Sequence, residues 1–328
     1  APLRQKVFAV LWVATVIGNT GSFVRDVASA WLMTDLSASP AAVAMVQAAA
    51  TLPVFLLAIP AGVLSDILDR RKFLVGIQLL LAAVSVCLPM LSAWDLQSVG
   101  SLVALTFLGG VGAALMGPTW QAVVPELVDR KDVKSAVALN SLGINMARAI
   151  GPALGLGAAV TYGVDVISYV FVVTALLWWR RPEKPEDALS ERFRGAFRAG
   201  LRYARASREL KVVLIRAFFF FMLASSVWAL LPLVVKTLLG GGAGFYGLLL
   251  GSIGLGAIGG ALAMPLLRER LSADGILLTA ALVTAAVMSF LALMPAQWAA
   301  LLALLALGAA WISALTTLNG VAQVILPN

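Results

Sequence analysis

Residues 62–72 read Gly62-Val63-Leu64-Ser65-Asp66-Ile67-Leu68-Asp69-Arg70-Arg71-Lys72. The ionisable groups of this stretch sit between two apolar runs, 41–64 and 73–94. As helices, such runs match a hydrocarbon core of about 30 Å. The stretch is therefore a polar turn at a membrane face. Gly62 allows two helices to approach closely. Asp66 stands where a helix ends, and Arg70, Arg71 or the positive N-terminus of another helix can balance it. A charge cluster of this kind can form in one conformation and break in another, which suits a gate. The same residues also fit a plain solvated loop.

Composition extends this reading to the whole chain. Of 328 residues, 61% are apolar and 12% charged, where an ordinary globular chain carries about 25% charged residues. A soluble fold could not clothe its surface with so few charges, so the solvent is lipid. Ten bilayer-length runs follow one another: 8–33, 41–64, 73–94, 99–124, 135–157, 158–179, 212–238, 244–267, 273–294 and 297–325. The first reads as a spanning helix and not a signal peptide, because no small-residue cleavage pattern follows it. The turn between the fifth and sixth runs, near Leu156–Tyr162, must be tight. The fold class is all-α and polytopic.

Loop charge sets the orientation. Of 24 Lys and Arg residues, twenty fall on one side if the N-terminus is cytosolic, and only Lys236 falls on the other. Arg25, Arg148 and Arg216 lie within or at the edge of spans. This asymmetry is a positive-inside pattern and predicts a multi-pass protein of the inner, cytoplasmic membrane. The domains expected are a six-span N-terminal bundle, 1–179; a basic cytosolic linker, 180–211; and a C-terminal bundle with four spans, 212–328. The linker's neighbours would be anionic lipid headgroups. The net charge of +8 thus reads as topology, and nucleic acid is not expected as a partner.

The absence of histidine excludes His-based catalysis and metal ligation, and a single cysteine, Cys87, excludes an intrachain disulfide. No nucleophile–base pair, metal cluster or phosphate loop stands out. Neither an enzyme nor a cofactor or metal is expected.

Further stretches carry a resemblance. They are Ala30-Trp31-Leu32-Met33, Thr51-Leu52-Pro53-Val54-Phe55, Gly109-Gly110-Val111-Gly112, Pro125-Glu126-Leu127-Val128, Ala138-Leu139-Asn140-Ser141 and Gly151-Pro152-Ala153-Leu154-Gly155. With residues 62–72, they resemble the major facilitator superfamily, in the branch of the enterobactin exporter and the transmembrane secretion effectors. The superfamily's signature after the second span has the form G-x-x-x-D-(R/K)-x-G-(R/K)-(R/K)-(R/K). Gly62, Asp66, Arg70, Arg71 and Lys72 match it; Ile67 and Asp69 depart, where the pattern has a base and a glycine. The resemblance implies two helical bundles built from inverted repeats around a central site. It also implies twelve spans, of which this sequence supplies ten, and an eleventh helix as partner for Asp66. Gly151, Pro152 and Gly155 resemble the antiporter motif of the fifth span, a flexing element; they also fit ordinary helix packing.

Charges inside a bilayer cost roughly 2.5–3.5 kcal/mol each on insertion scales. Arg25, Asp26, Arg148 and Asp165 are accordingly the candidate coupling and cavity charges. Arg25 and Asp26 are neighbours about 100° apart on a helix, so they are not expected to face each other. Arg148 is expected to pair with Asp26 or Asp165. Without histidine, a carboxylate is the plausible proton carrier. Asn19, Trp31, Gln47, Gln121 and Asn145 are candidates for a mixed polar and apolar substrate cavity, and Trp120 and Trp228 serve either as aromatic walls or as interface anchors. The leading reading is a monomeric proton-coupled exporter, an antiporter of small amphipathic molecules such as a siderophore or drug. The alternatives are a non-transporting membrane receptor or assembly protein, and a proton-coupled importer.

Overall fold

The computed structural model describes residues 2–153, 158–180, 206–293 and 296–325. The described residues form ten α-helices: α1 (Lys6–Leu36), α2 (Pro40–Ile67), α3 (Arg70–Ala93), α4 (Val99–Val123), α5 (Val133–Ala153), α6 (Ala158–Trp178), α7 (Arg208–Thr237), α8 (Ala243–Arg270), α9 (Ala273–Leu293) and α10 (Gln297–Ile325). They coincide with the ten apolar runs read from sequence. Nine are long and apolar enough to cross a membrane. The tenth, α5, is diluted by Asn140, Ser141, Asn145 and Arg148.

Several boundaries differ from the expected ones. The turn before α6 is finished by Ala158, so Tyr162 is already helical and fully buried. Residues 181–205 of the basic linker lie outside the described residues. Its last residues belong to α7, which begins at Arg208 because Ser207 caps it by accepting a hydrogen bond from Leu210 N. Asp69 has a similar role. It is the N-cap of α3 and accepts from Lys72 N at 2.8 Å with a φ of −59°. A capping carboxylate at ordinary φ explains why this chain does without the family pattern's glycine there.

The chain divides into two compact units, Ala1–Phe193 and Arg194–Asn328. In the first, α1 packs on α6 as α4 packs on α3, and α1 packs on α5 as α4 packs on α2. Exchanging α1–α3 with α4–α6 leaves this pairing unchanged, as a three-helix repeat about a pseudo-two-fold axis requires. In the second unit, α8 packs on α10 and α9 on α10, repeating the pattern of α2–α4 and α3–α4.

Glycines set the closest of these approaches. A Cβ at Gly110 of α4 would stand 2.6 Å from Ala50 O of α2, and one at Gly112 would stand 2.5 Å from Leu81 of α3. In the second unit, a Cβ at Gly308 of α10 would overlap the Ile253 carbonyl of α8, and one at Gly260 would come 2.7 Å from Ala309 Cα. Gly62 behaves differently. Among the described residues nothing lies within 4 Å of its Cβ position, and the close approaches are made at Gly110 and Gly112.

Substitution tests this difference. Gly110→Val should lower stability by about 1–3 kcal/mol through overpacking, whereas Gly62→Ala should change it by less than about 0.5 kcal/mol. Thermal unfolding of both variants in the same detergent measures the contrast; equal losses would show that α2 and α4 are spaced otherwise.

Candidate functional site

The first unit buries a guanidinium. Arg25 is only 7% exposed, and Asp165 on α6 is 0% exposed. Arg25 Nη1 donates to Asp165 Oδ2 at 3.3 Å and to Tyr169 OH at 2.9 Å, and lies 3.4 Å from Ser85 Oγ on α3. Ser85 Oγ also donates to Asp165 Oδ2. Tyr169 OH is hydrogen-bonded to Ser22 Oγ of α1 at 3.0 Å. Three helices thus meet at one cation. Two glycines make the space: Gly109 of α4 lies beside Arg25 Nη2, and a Cβ at Gly21 of α1 would stand 2.9 Å from Asp165 Oδ1.

Arg25 serves a second carboxylate. Its Nη2 donates to Asp26 Oδ1 at 3.1 Å, and the Asp26 side chain is 56% exposed. The sequence reading expected these neighbours to point apart. The Cα–Cβ bonds do diverge on the helix, but the long arginine side chain curls back far enough to close the pair. One guanidinium therefore bridges a buried carboxylate and an exposed one. Among the described residues, Asp165 Oδ1 is buried without a hydrogen-bond partner.

Arg148 is the second correction. It was expected to pair with Asp26 or Asp165, but Arg25 holds both. Arg148 is exposed, and its guanidinium carbon lies 5.7 Å from the centroid of the Phe23 ring on α1. Gly151 makes that seam tight, since a Cβ there would stand 2.7 Å from Phe23 Cβ and 3.1 Å from Thr20 O. Ser141, Asn145 and Arg148 recur at helical spacing and are all exposed, giving α5 one polar face. Pro152 is helical in its backbone; Gly155 lies outside the described residues.

At the other end of the unit, Arg70 and Arg71 of the gate motif are engaged with their own unit. Arg70 Nη1 donates to Glu126 Oε1 at 2.7 Å and to Ala122 O at 3.2 Å, while its Nε donates to Ser65 O at 3.0 Å. The start of α3 is thereby tied to the C-terminal ends of α2 and α4. Arg71 donates to Leu176 O at 2.9 Å and Leu177 O at 2.6 Å, capping the last turn of α6, where a cation is favoured by the helix dipole. Asp66 is in the last turn of α2, and its side chain lies outside those described. Glu126, quoted only as part of the resemblance, is the partner that sequence reasoning did not assign.

The cavity candidates separate. Asn19, Trp31 and Gln47 are half-buried, and Gln121 and Asn145 are exposed. Trp120 is a core residue, 5% exposed, whose Nε1 donates to Asn140 Oδ1 at 2.7 Å; it is neither a cavity wall nor an interface anchor. Trp228 of α7 lies 4.3 Å, centroid to centroid, from Trp311 of α10.

Removing one member of a buried ion pair leaves the other uncompensated, at a cost of about 3–5 kcal/mol. Asp165→Asn should therefore lower thermal stability strongly, and Asp26→Asn only slightly. Replacing both members, as Arg25→Met with Asp165→Leu, should recover part of the loss. A double-mutant cycle on unfolding in detergent reads this directly; additive losses would show that Arg25 and Asp165 act independently.

Comparison with known proteins bears on what this fold belongs to. A family model described as transmembrane secretion effector matches residues 1–328. Macrolide efflux protein A of Streptococcus pyogenes is 22% identical over 238 residues, covering 69% of this chain and 58% of that protein. The staphyloferrin A transporter of Staphylococcus aureus is 22% identical over 254 residues, covering 75% of this chain and 63% of that protein. The chain thus spans about three-fifths of the length of these curated relatives. Among solved structures, a bacterial homologue of the human lysosomal transporter Spinster, inward-facing and unoccupied, superposes with a TM-score of 0.72 at 16% identity, covering 98% of this chain and 75% of the other. A D-xylose–proton symporter superposes with a TM-score of 0.67 at 18% identity, covering 96% and 81%. With helices that pair as three-helix repeats and a family model matched from end to end, the chain belongs to the transmembrane secretion effector family of the major facilitator superfamily.

Proposed function

We propose that this protein exports a small amphipathic molecule across the cytoplasmic membrane by alternating access, coupled to inward movement of protons. The observation that carries the reading is the sharing of Arg25 between Asp165, sealed inside the bundle, and Asp26, whose side chain is exposed. The relatives support the substrate class, one being a macrolide efflux protein and another a staphyloferrin A transporter.

One guanidinium cannot fully balance two carboxylates. With both ionised, the trio carries one net negative charge, and a proton is the smallest ion that removes it. Asp26 is the member within reach of water, so Asp26 takes and releases that proton. Protonation ends its claim on Nη2, and Arg25 is then held by Asp165, Ser85 and Tyr169 alone. Because those groups come from α3 and α6, and Arg25 itself from α1, the change at Asp26 is felt by three helices. Arg25 and Asp165 act as the fixed part of the device. A cationic or strongly polar group of the substrate competes with the proton for Asp26, which is the requirement for exchange.

The same reading assigns the remaining parts. The positive-inside pattern puts the N-terminus and the Arg70–Arg71 clasp on the cytosolic side. There the clasp keeps the ends of α2, α4 and α6 together, so that the six-helix unit moves as one body when the two halves rock. Asn19, Trp31, Gln47, Gln121 and Asn145 contribute to the surface past which the substrate moves. The basic stretch 180–211 rests against anionic headgroups.

Proteoliposomes holding the full-length protein test this. With the interior acidified, a hydrophobic fluorescent dye and a labelled catecholate siderophore are followed alongside luminal pH. Uphill uptake of either compound into acidic vesicles, with matching proton efflux, is expected. Asp26→Asn should abolish the pH-driven component while leaving downhill exchange in place. Proton and substrate moving in the same direction would make the protein a symporter, and unchanged pH-driven uptake by the Asn variant would remove Asp26 from the coupling.

A further inference from the structure

Arg148 is a cation in a spanning segment with an exposed side chain, and among the described residues no carboxylate pairs with it. Its depth is fixed by its neighbour. Phe23 is the eighteenth of the 31 residues of α1, so the guanidinium stands near the middle of that helix and far from either headgroup layer. A guanidinium facing hydrocarbon at this depth is costly. The polar face to which it belongs, Ser141–Asn145–Arg148, must therefore border water.

The surroundings leave the guanidinium available. Among the described residues the guanidinium lies against the ring of Phe23, which attracts a cation through its face but accepts no hydrogen bond. The nearest carboxylate in sequence along α1, Asp26, lies three residues from Phe23 and is held by Arg25. A planar fork of N–H donors backed by an aromatic ring, facing water inside a membrane protein, is suited to a carboxylate or another planar oxyanion. Asn145, one turn earlier on α5 and exposed, extends the same polar face.

We propose that Arg148, backed by Phe23, is an anion-recognition subsite that binds a carboxylate-like group of the transported molecule. The proposal rests on the transport reading above and adds to it the chemical class of one substrate group. With Asp26 on the same side of α1, the site offers one anionic and one cationic anchor. The preferred substrate is then an amphipathic molecule that carries a negatively charged group beside its apolar body. A lipid headgroup offers the same oxyanion chemistry, and the experiment separates the two sources.

The full-length protein in nanodiscs is titrated with dansylglycine and with dansylglycinamide, which differ only in having a carboxylate or a neutral amide. Dansylglycine is expected to bind about ten- to hundred-fold more tightly than the amide. Arg148→Gln should remove that difference while preserving binding of the amide. Arg148→Lys, which keeps the charge, should retain part of the preference. Nanodiscs of phosphatidylcholine alone and of phosphatidylcholine with phosphatidylglycerol form the second arm: an unchanged preference assigns the site to a soluble ligand, and a preference lost on adding the anionic lipid assigns it to a headgroup and overturns the proposal. Equal affinity for the two probes in the wild-type protein, binding of neither, or a preference that survives Arg148→Gln also overturns it. If Arg148→Gln binds neither probe, Arg148→Lys decides, and loss of the preference there overturns the subsite. Flux is scored separately. Export without an acid preference removes the subsite and leaves the transport reading standing; an acid preference without flux does the reverse.

Discussion

A bilayer solvates peptide groups and charges poorly, so each polar atom placed in it must find a partner within the protein or border water. Arg25 is where this constraint bears hardest on the first unit. Its guanidinium lies at the meeting of α1, α3 and α6 and is matched by Asp165, Ser85 and Tyr169. The bundle cannot loosen there without stranding a charge. Glycines at 21 and 109 provide the room, because the cluster takes volume that side chains would otherwise fill. The ion pair and the helix spacing are thus one arrangement described twice, and the position of Asp26 at its open edge follows from both.

Helix packing elsewhere obeys a different economy. Among the described residues, α2–α4 and α8–α10 are the most extensively packed pairs of their units, and both rely on glycine against a neighbouring backbone. Lipid tails are as apolar as leucine, so burying apolar area between two helices gains little over leaving it in lipid. What favours association is close dispersion contact, and Gly110 and Gly308 supply it at corresponding places in the two units. The exposed phenylalanines and leucines of α7 need no protein cover in such a solvent.

The ten helices and the fold class were legible because periodicity and length are properties of each helix alone, although nine of the ten are long and apolar enough to cross a membrane. The positions of the apolar runs coincide with the helices to within a few residues. The charged residues were also found, since any Arg or Asp in an apolar run stands out. Their partners were not legible, because pairing depends on which helices touch. Sequence pointed Arg148 at Asp26 or Asp165 by counting charges, but α6 lies against α1 and α3, which gives Asp165 to Arg25. Local geometry misled in two further places. The 100° step between Arg25 and Asp26 describes their Cβ directions and ignores the reach of an arginine. Gly62 carries a motif match yet faces open space, while Gly110, one of many glycines in its run, makes the close contact. Glu126 sat in a quoted stretch, but its partner Arg70 is 56 residues away.

Arg25 and Arg148, both within spans of the first unit, show why burial, and not merely charge, distinguishes two cations. Arg25 has three acceptors on neighbouring helices and almost no exposure; an incoming ligand would have to displace protein groups that are already well placed. Arg148 has an aromatic ring behind it and an exposed side chain in front. The same residue type is a buried structural tie in one setting and an exposed cation in the other. The carboxylates divide the same way. Asp165 is sealed inside the bundle, with its Oδ2 held by Arg25 and Ser85. Asp26 shares that arginine from the exposed side. A unit built like this separates holding from exposure: the tie keeps three helices registered while Asp26 and Arg148 stand exposed at its edge.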